Sequence, residues 1–473
     1  MLTAGTASAT TFYLSPAGND QSVGTSPTAA WRTLERANAA MLAAGDALLL
    51  QGGATFEGNL RLDARDSGTA DKPISLGSFG EGRATIHARS GHGLYASDCS
   101  HLRVSNLNFL GSNTLGKPDD AVQASGMVFD CTRAQRPIED LQVSDCEVSG
   151  FPWRGVVLQA FEAPKGAPRV YNGYTGVLFE RLRVHDNGDN GITSRGTTDA
   201  SPGYAHHNIV VRDCQVWNQR GIPNKGSHSG SGIFFYNVQN ILIEGCEVHG
   251  CGENSNAGNG GPVGIWVCEA RDALIQRCES YGNRTSDFDG GGFDLDGGVV
   301  NGVIEDCFSH DNMGPGFMVC QYTGARELRN VVFRHNLSLN DGRGSRTNAM
   351  ILLWTDNDGI HDARFENNTL IVQPFAEAGA APPDGKLSPR VAVALISPTH
   401  GVSFRGNTVV VGEGVPLLQV APGQEALSFE NNSWWPRDGR EKIEWQGQNF
   451  NSLADWRAAT KQDGAPPGSA QPK

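Results

Sequence analysis

A six-residue phrase, apolar-x-apolar-polar-x-Cys/Asn, recurs down this chain and leaves it few ways to fold. It reads Leu141-Gln-Val-Ser-Asp-Cys146, Ile209-Val-Val-Arg-Asp-Cys214 and Ile241-Leu-Ile-Glu-Gly-Cys246, and continues as far as Leu427-Ser-Phe-Glu-Asn-Asn432. From Cys214 its anchors run through Cys246, Cys278, Cys307, Asn336, Asn368, Asn407 and Asn432 at intervals of 32, 32, 29, 29, 32, 39 and 25 residues. A period of this size marks a solenoid. Each period holds two short β patterns divided by Gly/Asn turns and no helical stretch. That excludes leucine-rich and helical repeats and leaves an all-β, single-stranded, right-handed parallel β-helix.

Stacked coils repeat each position about 4.8 Å higher, so the anchors form a column. If it faces inward, the Cys act as small buried hydrophobes and the Asn bond amide to amide. A metal site or disulfide framework among the ten cysteines is the weaker alternative, because strand spacing falls short of the usual Cα separation of a disulfide. Trp31 to Ala44 has helical spacing and Leu453 to Thr460 reads as a second short helix; both suit caps on the open ends. The expected organisation is a signal-peptide remnant over 1–10 ending at Ala7-Ser8-Ala9, a β-helix over 11–450 with its cap helix near 31–44, and a short helix with a disordered tail over 451–473. A net charge of −13 argues against a nucleic-acid partner. No apolar run is long enough to span a membrane. These readings point to a secreted or periplasmic monomer.

A second line of strands follows the first: Gly155-Val-Val-Leu-Gln159, Gly191-Ile-Thr-Ser-Arg195, Gly232-Ile-Phe-Phe-Tyr236, Gly264-Ile-Trp-Val-Cys268, Gly292-Phe-Asp-Leu-Asp296, Gly316-Phe-Met-Val-Cys320 and Met350-Ile-Leu-Leu-Trp354. Alternation places two columns outward: Val157, Thr193, Phe234, Trp266, Asp294, Met318 and Leu352, beside Gln159, Arg195, Tyr236, Cys268, Asp296, Cys320 and Trp354. Aromatics flanking carboxylates on an exposed face suit a sugar-binding groove. Arg195, Tyr236, Trp266, Glu269, Arg343 and Trp354 are the expected substrate contacts.

Asp294 and Asp296 are expected with Cα atoms about 6.5 to 7 Å apart, compatible with the roughly 6.5 to 9.5 Å carboxylate separation of inverting glycosidases. Asp287, Asp289 and Glu269 crowd them, which raises the pKa values a general acid requires. Asp289 is a further catalytic candidate. His310 is another, although His310-Asp311 repeats the turn element His185-Asp186. His228 lies in a Gly/Ser-rich loop at the rim. The same acids read alternatively as hard oxygen ligands for Ca2+. No Lys occurs between Lys225 and Lys386 to act as the base of a lyase, which shifts the balance towards hydrolysis.

The opening Thr11-Phe-Tyr-Leu-Ser-Pro-Ala-Gly-Asn-Asp20 with Trp31-Arg-Thr-Leu34 resembles the pectate-lyase-like superfamily of secreted β-helix proteins, which holds both lyases and hydrolases. Ser286-Asp-Phe-Asp-Gly290 with Gly292-Phe-Asp-Leu295 is similar to the Ca2+ motif of the ninth polysaccharide lyase family. That resemblance implies Asp287, Asp289 and Asp294 as metal ligands and a Lys base; this sequence departs in the spacing and lacks the Lys. The leading expectation is an inverting glycoside hydrolase on a polysaccharide or oligosaccharide, with no cofactor required. One of Asp294 and Asp296 is the acid, and the other, or Asp289, activates water. A Ca2+-dependent lyase of a uronic-acid polymer and a non-catalytic glycan-binding β-helix are the alternatives.

Overall fold

The computed structural model describes residues 9–112, 123–163, 170–196, 203–258, 260–356, 359–372 and 390–464. Ala7-Ser8 of the expected processing site and the tail beyond Gly464 lie outside the described residues. The chain is a β-solenoid, divided into two compact units: one running to residue 187 with 193–197 and 204–215, the other holding 188–192, 198–203 and residues from 216 onward. Among the described residues no helix is long and apolar enough to cross a membrane.

Both units are built from coils of three parallel strands, one more than the two patterns read from the sequence. In the first unit Ile74–Phe79, Leu102–Ser105, Ile138–Ser144, Tyr174–Glu180 and His206–Arg212 pair in succession. Leu94–Ser97, Met127–Asp130 and Val156–Gln159 form a second line. The third line runs through Leu107–Leu110, Glu147–Ser149 and Arg183–His185. The second unit repeats the plan: Val263–Gln276 pairs along its length with Ile233–Glu244, then with both Gly291–Leu295 and Val300–Glu305 of the next coil. Glu279–Tyr281, Phe308–His310 and Leu337–Leu339 are its third line.

The repeated phrase is now explained by backbone geometry. The residue before each anchor turns the chain in the left-handed region, as Asp145, Asp213, Asp306, Asn367 and Asn431 do with φ of 53 to 55°, and Asp, Asn and Gly tolerate that region best. The glycine that opens most second-line strands has a different cause. A Cβ on Gly292 would meet Ser309 Oγ at 2.2 Å and one on Gly264 would meet Ser280 Oγ at 1.9 Å, so the two strand lines approach too closely for any side chain.

The anchor column faces inward. All ten cysteines are free, and the anchors Cys246, Cys278 and Cys307 are buried. Asn336 Nδ2 donates to Asn368 Oδ1 at 3.0 Å, Asn368 to Asn407 at 3.0 Å and Asn407 to Asn432 at 2.9 Å, each residue's backbone N–H also donating to the oxygen above it. Buried Asp463 ends the ladder, accepting from Asn432 N at 2.8 Å and from Trp434 Nε1 at 2.7 Å. Asn368→Leu leaves a buried amide on each side without its partner and is expected to cost roughly 2–4 kcal/mol, read as a lower urea midpoint at unchanged slope; a loss below about 0.5 kcal/mol would show the ladder to be incidental.

The ends differ from each other. The C-terminal helix forms as expected over Leu453–Thr460, capped by Ser452, with Trp456 buried against Phe429, Trp434 and Trp445. The N-terminal helix is only Leu34–Asn38. Trp31 instead bridges to Leu14 and stacks on Phe12 at 4.8 Å, Thr33 caps the helix at Arg36 N, and the N–H groups of Leu42 and Ala43 are taken by Asp66 and Asp46 rather than by helical carbonyls.

Candidate active site

In the strand Gly291–Leu295, Phe293 and Leu295 point into the coil, Phe293 stacking on Phe317 at 5.3 Å. Asp294 takes the opposite face, in register with Trp266 on one side and Met318 on the other. That face is not open to solvent as expected. Phe234, Trp266, Met318 and Leu352 are buried and join Val263, Ala349, Val391 and Ala394 in a second apolar cluster outside the coils. Phe234 and Trp266 stack at 3.7 Å, and His228 stands edge-on to both at 5.0 Å. The loop carrying His228 is held by buried Asp189, which accepts from Lys225 Nζ at 2.9 Å and from Ser229 Oγ at 2.8 Å.

Asp294 is 3% exposed, and its Oδ1 is buried without a hydrogen-bond partner. Carboxylate oxygens of Asp294 and Asp296 and the thiol of Cys320 lie within 4.8 Å of one another. Burial, then the neighbouring Asp296 and Asp289, push the Asp294 carboxyl well above the usual range. Burial also carries Asp296 up to about 7, opposed by the Gly297 N–H that donates to its Oδ1 at 2.7 Å. Asp289, in the left-handed turn before the strand, is raised to about 6 by burial although Gly261 N–H donates to it at 2.6 Å. The two carboxylates thus stand close enough for each to feel the other's charge.

The compact group of possible ligand atoms among the described residues is a different one from Asp287, Asp289 and Asp294. Among the described residues the acids with ligand atoms brought together are Asp294 and Asp296, joined by Cys320, whose soft sulfur suits Ca2+ poorly. Asp287 is paired with Arg346 at 2.6 Å, and that guanidinium also lies over Phe288 at 5.5 Å.

Other expected residues sort by position. Tyr236 and Trp354 are half-buried in the column of Asp296 and Cys320. Trp266 supports the site from within the apolar cluster rather than as an exposed stacking platform. Glu269 is 2% exposed and is committed to Arg326, whose Nε lies 3.3 Å from Oε2, while the Arg326 N–H and the Tyr322 hydroxyl donate to Oε1 at 3.2 and 3.4 Å. His310 belongs to the third strand line, bonded to Asp311 at 3.0 Å and Glu279 at 3.1 Å and stacked on Tyr281 at 4.6 Å. His185 repeats this arrangement with Asp186 and Glu147, so His310 sits in a recurring turn element. Arg343 is drawn to the same turn, donating to Asp311 at 2.8 Å. Arg195, in the first unit, is exposed, and its carbonyl accepts from buried His206 at 2.9 Å. The sequence reading missed Tyr322, whose hydroxyl lies 3.4 Å from Cys268 Sγ beside the acids.

The family model of the right handed beta helix region matches residues 82–370. A lacto-N-biosidase from Bifidobacterium longum subsp. longum is 38% identical over 79 residues, which are 16% of this chain and 5% of that protein. The chain thus spans a small fraction of the length of the curated relative it matches. The crystal structure of a GH136 lacto-N-biosidase from Eubacterium ramulus superposes with a TM-score of 0.61 at 18% identity, covering 90% of this chain and 68% of that one. Pectate lyase Pel9A aligns with a TM-score of 0.43 at 16% identity over 80% of each chain.

Proposed function

The chain belongs to the right-handed β-helix family, and on that premise we propose that it is a carbohydrate-active enzyme, a glycoside hydrolase acting on an oligosaccharide or polysaccharide outside the cytoplasm. The observation that carries this reading is the pair of buried Asp294 and half-buried Asp296, with an oxygen of each within 4.8 Å of the other. Two carboxylates this close cannot both ionise cheaply in a low-dielectric site, so one proton is retained between them. Asp294, without a donor to its Oδ1, favours the neutral form and serves as general acid to the leaving oxygen. Asp296, half-buried and receiving the Gly297 N–H, favours the anion and faces the anomeric carbon. With Asp294 as acid, the bond is broken either by a water that Asp296 activates or by Asp296 itself through a glycosyl-enzyme ester that water then hydrolyses, and the anomeric configuration of the product tells the two apart. The 79-residue match to a lacto-N-biosidase supports hydrolysis of a glycan over elimination.

Product chemistry tests this. Hydrolysis adds one water, raises reducing ends, gives no near-ultraviolet chromophore and survives a chelator. An unsaturated uronide that vanishes with chelator would replace this reading with the lyase, and glycan binding with no product would replace it with a binding module.

A further inference from the structure

Cys320 stands beside the acid pair and has no part in the hydrolysis proposed above. It lies in the strand Phe317–Gln321, paired with Gly291–Leu295 of the preceding coil. Met318 is the register partner of Asp294, so Cys320, two residues on, falls in the column of Asp296. Its thiol is free and half-buried.

The Cys320 Sγ and one oxygen of each acid lie within 4.8 Å of one another. A tetrahedral ion bound to oxygen at about 2.0–2.2 Å and to sulfur at about 2.3 Å holds its ligand atoms roughly 3.3–3.8 Å apart, so no side of this triangle has more than about 1.5 Å to close. Asp294 adds an independent sign. It is 3% exposed and its Oδ1 accepts no hydrogen bond; a buried oxygen of this kind is satisfied by a proton or by a cation. The charges that act most strongly on the two acids belong to acids as well: Asp296 and Asp289 on Asp294, Asp289 and Glu269 on Asp296. That field attracts a cation, and the apolar wall of Phe234, Trp266 and Met318 strengthens the attraction by keeping water sparse. Gly297 N–H orients Asp296 from behind, donating to its Oδ1 at 2.7 Å, as outer-shell donors orient metal ligands. Sulfur selects the ion. A thiolate beside carboxylates suits Zn2+, whereas Ca2+ and Mg2+ take oxygen shells.

We propose that Asp294, Asp296 and Cys320 form a binding site for a thiophilic divalent ion of the Zn2+ type, held by three protein ligands with a fourth position open. Binding sends the thiol proton and the acids' proton to solvent, and the ion takes their place. On the acid-pair reading above, an ion seated there removes the general acid, so Zn2+ arrests hydrolysis and a chelator restores it. The site itself does not rest on that reading.

Co2+, a spectroscopic stand-in for Zn2+, tests it when titrated into the chelator-treated full chain and then challenged with Zn2+ or Ca2+. One Co2+ per chain binds with a thiolate-to-cobalt absorption band, Zn2+ abolishes the band, and Ca2+ at the same concentration leaves it. In Cys320→Ser the band is lost and Zn2+ binds at least about tenfold more weakly by calorimetry. Should that variant misfold, Asp294→Asn carries the test, keeping the thiol but weakening Zn2+ by at least about tenfold. A wild-type chain without the band, a band that Ca2+ displaces as readily as Zn2+, or Zn2+ held equally well by folded Cys320→Ser, as a histidine turn such as His310 with Glu279 would hold it, overturns the site. Zn2+ bound with the band's displacement and no loss of hydrolytic rate upholds the site and strikes the acid pair instead.

Discussion

Asp294→Asn and Asp296→Asn are each expected to lower kcat by about 10²- to 10⁴-fold on the true substrate while leaving KM within a few-fold. The wild-type rate should rise as pH passes about 7, where Asp296 loses its proton, and fall again at higher pH when Asp294, held above it, ionises in turn. The limbs belong to the pair, so either substitution removes the bell rather than moving one side of it. Stability should respond with the opposite sign. A carboxyl whose folded pKa is raised binds its proton more tightly in the native state than in the unfolded chain, so stability is greatest below the unfolded value of about 3.9 and is lost as pH rises towards the folded pKa. An amide does not carry that penalty, and both variants should melt higher than the wild type at pH 8 while being nearly inactive. Steady-state rates and scanning calorimetry on the same preparations check both halves. Activity within twofold of wild type in either variant would remove the pair from the chemistry, and a lower melting temperature in both at pH 8 would show that the carboxyls are not held neutral by burial.

The coil was legible in the sequence because its turns are chemical necessities. A left-handed residue before each anchor favours Asp, Asn or Gly, although Arg277 and His335 also hold it, a close approach requires glycine at 264 and 292, and these fall at a readable period. The third strand line was not, because Glu147–Ser149, Glu247–His249 and Phe308–His310 each bury a single residue, too few to show alternation. A second ladder went unread for the same reason: Asn283 donates to Asn312 and Asn312 to Asp341, each at 2.8 Å, just past the three-residue strands Glu279–Tyr281, Phe308–His310 and Leu337–Leu339. The groove was misread at one step. Alternation shows which side of the strand a residue takes, but outward from the coil is not the same as outward into water. Ile233-Phe-Phe235, Phe317-Met-Val319 and Met350-Ile-Leu-Leu353 are apolar on both faces, which is how a doubly buried parallel strand reads. The loop residues packed on that face, His228 and Tyr322, follow no fixed period. Partners such as Arg326 for Glu269, 57 positions away, follow from the fold alone.

That last pair carries the second large effect. Glu269 and Arg326 are 3% and 9% exposed at the side chain, and replacing one member strands the other charge in the interior. Arg326→Met is expected to cost about 3–5 kcal/mol, where a surface ion pair would cost at most about 1. The backbone adds a reason to keep the glutamate. Glu269 holds a left-handed φ of 48° at a corner where the preceding coil has Asn237, and such strain persists where surrounding contacts enforce it. Its N–H donates to Gly297 O at 2.7 Å, beside Asp296, and its charge already raises the Asp296 pKa. Without the guanidinium that influence grows. Arg326→Met should therefore shift the ascending limb of the pH–rate profile upward as well as lowering the urea midpoint, and Glu269→Gln should move the limb down despite a comparable loss of stability. Opposite shifts from two destabilised variants cannot come from loosened packing. If both limbs stay where the wild type has them, the ion pair holds the corner together without tuning the acids.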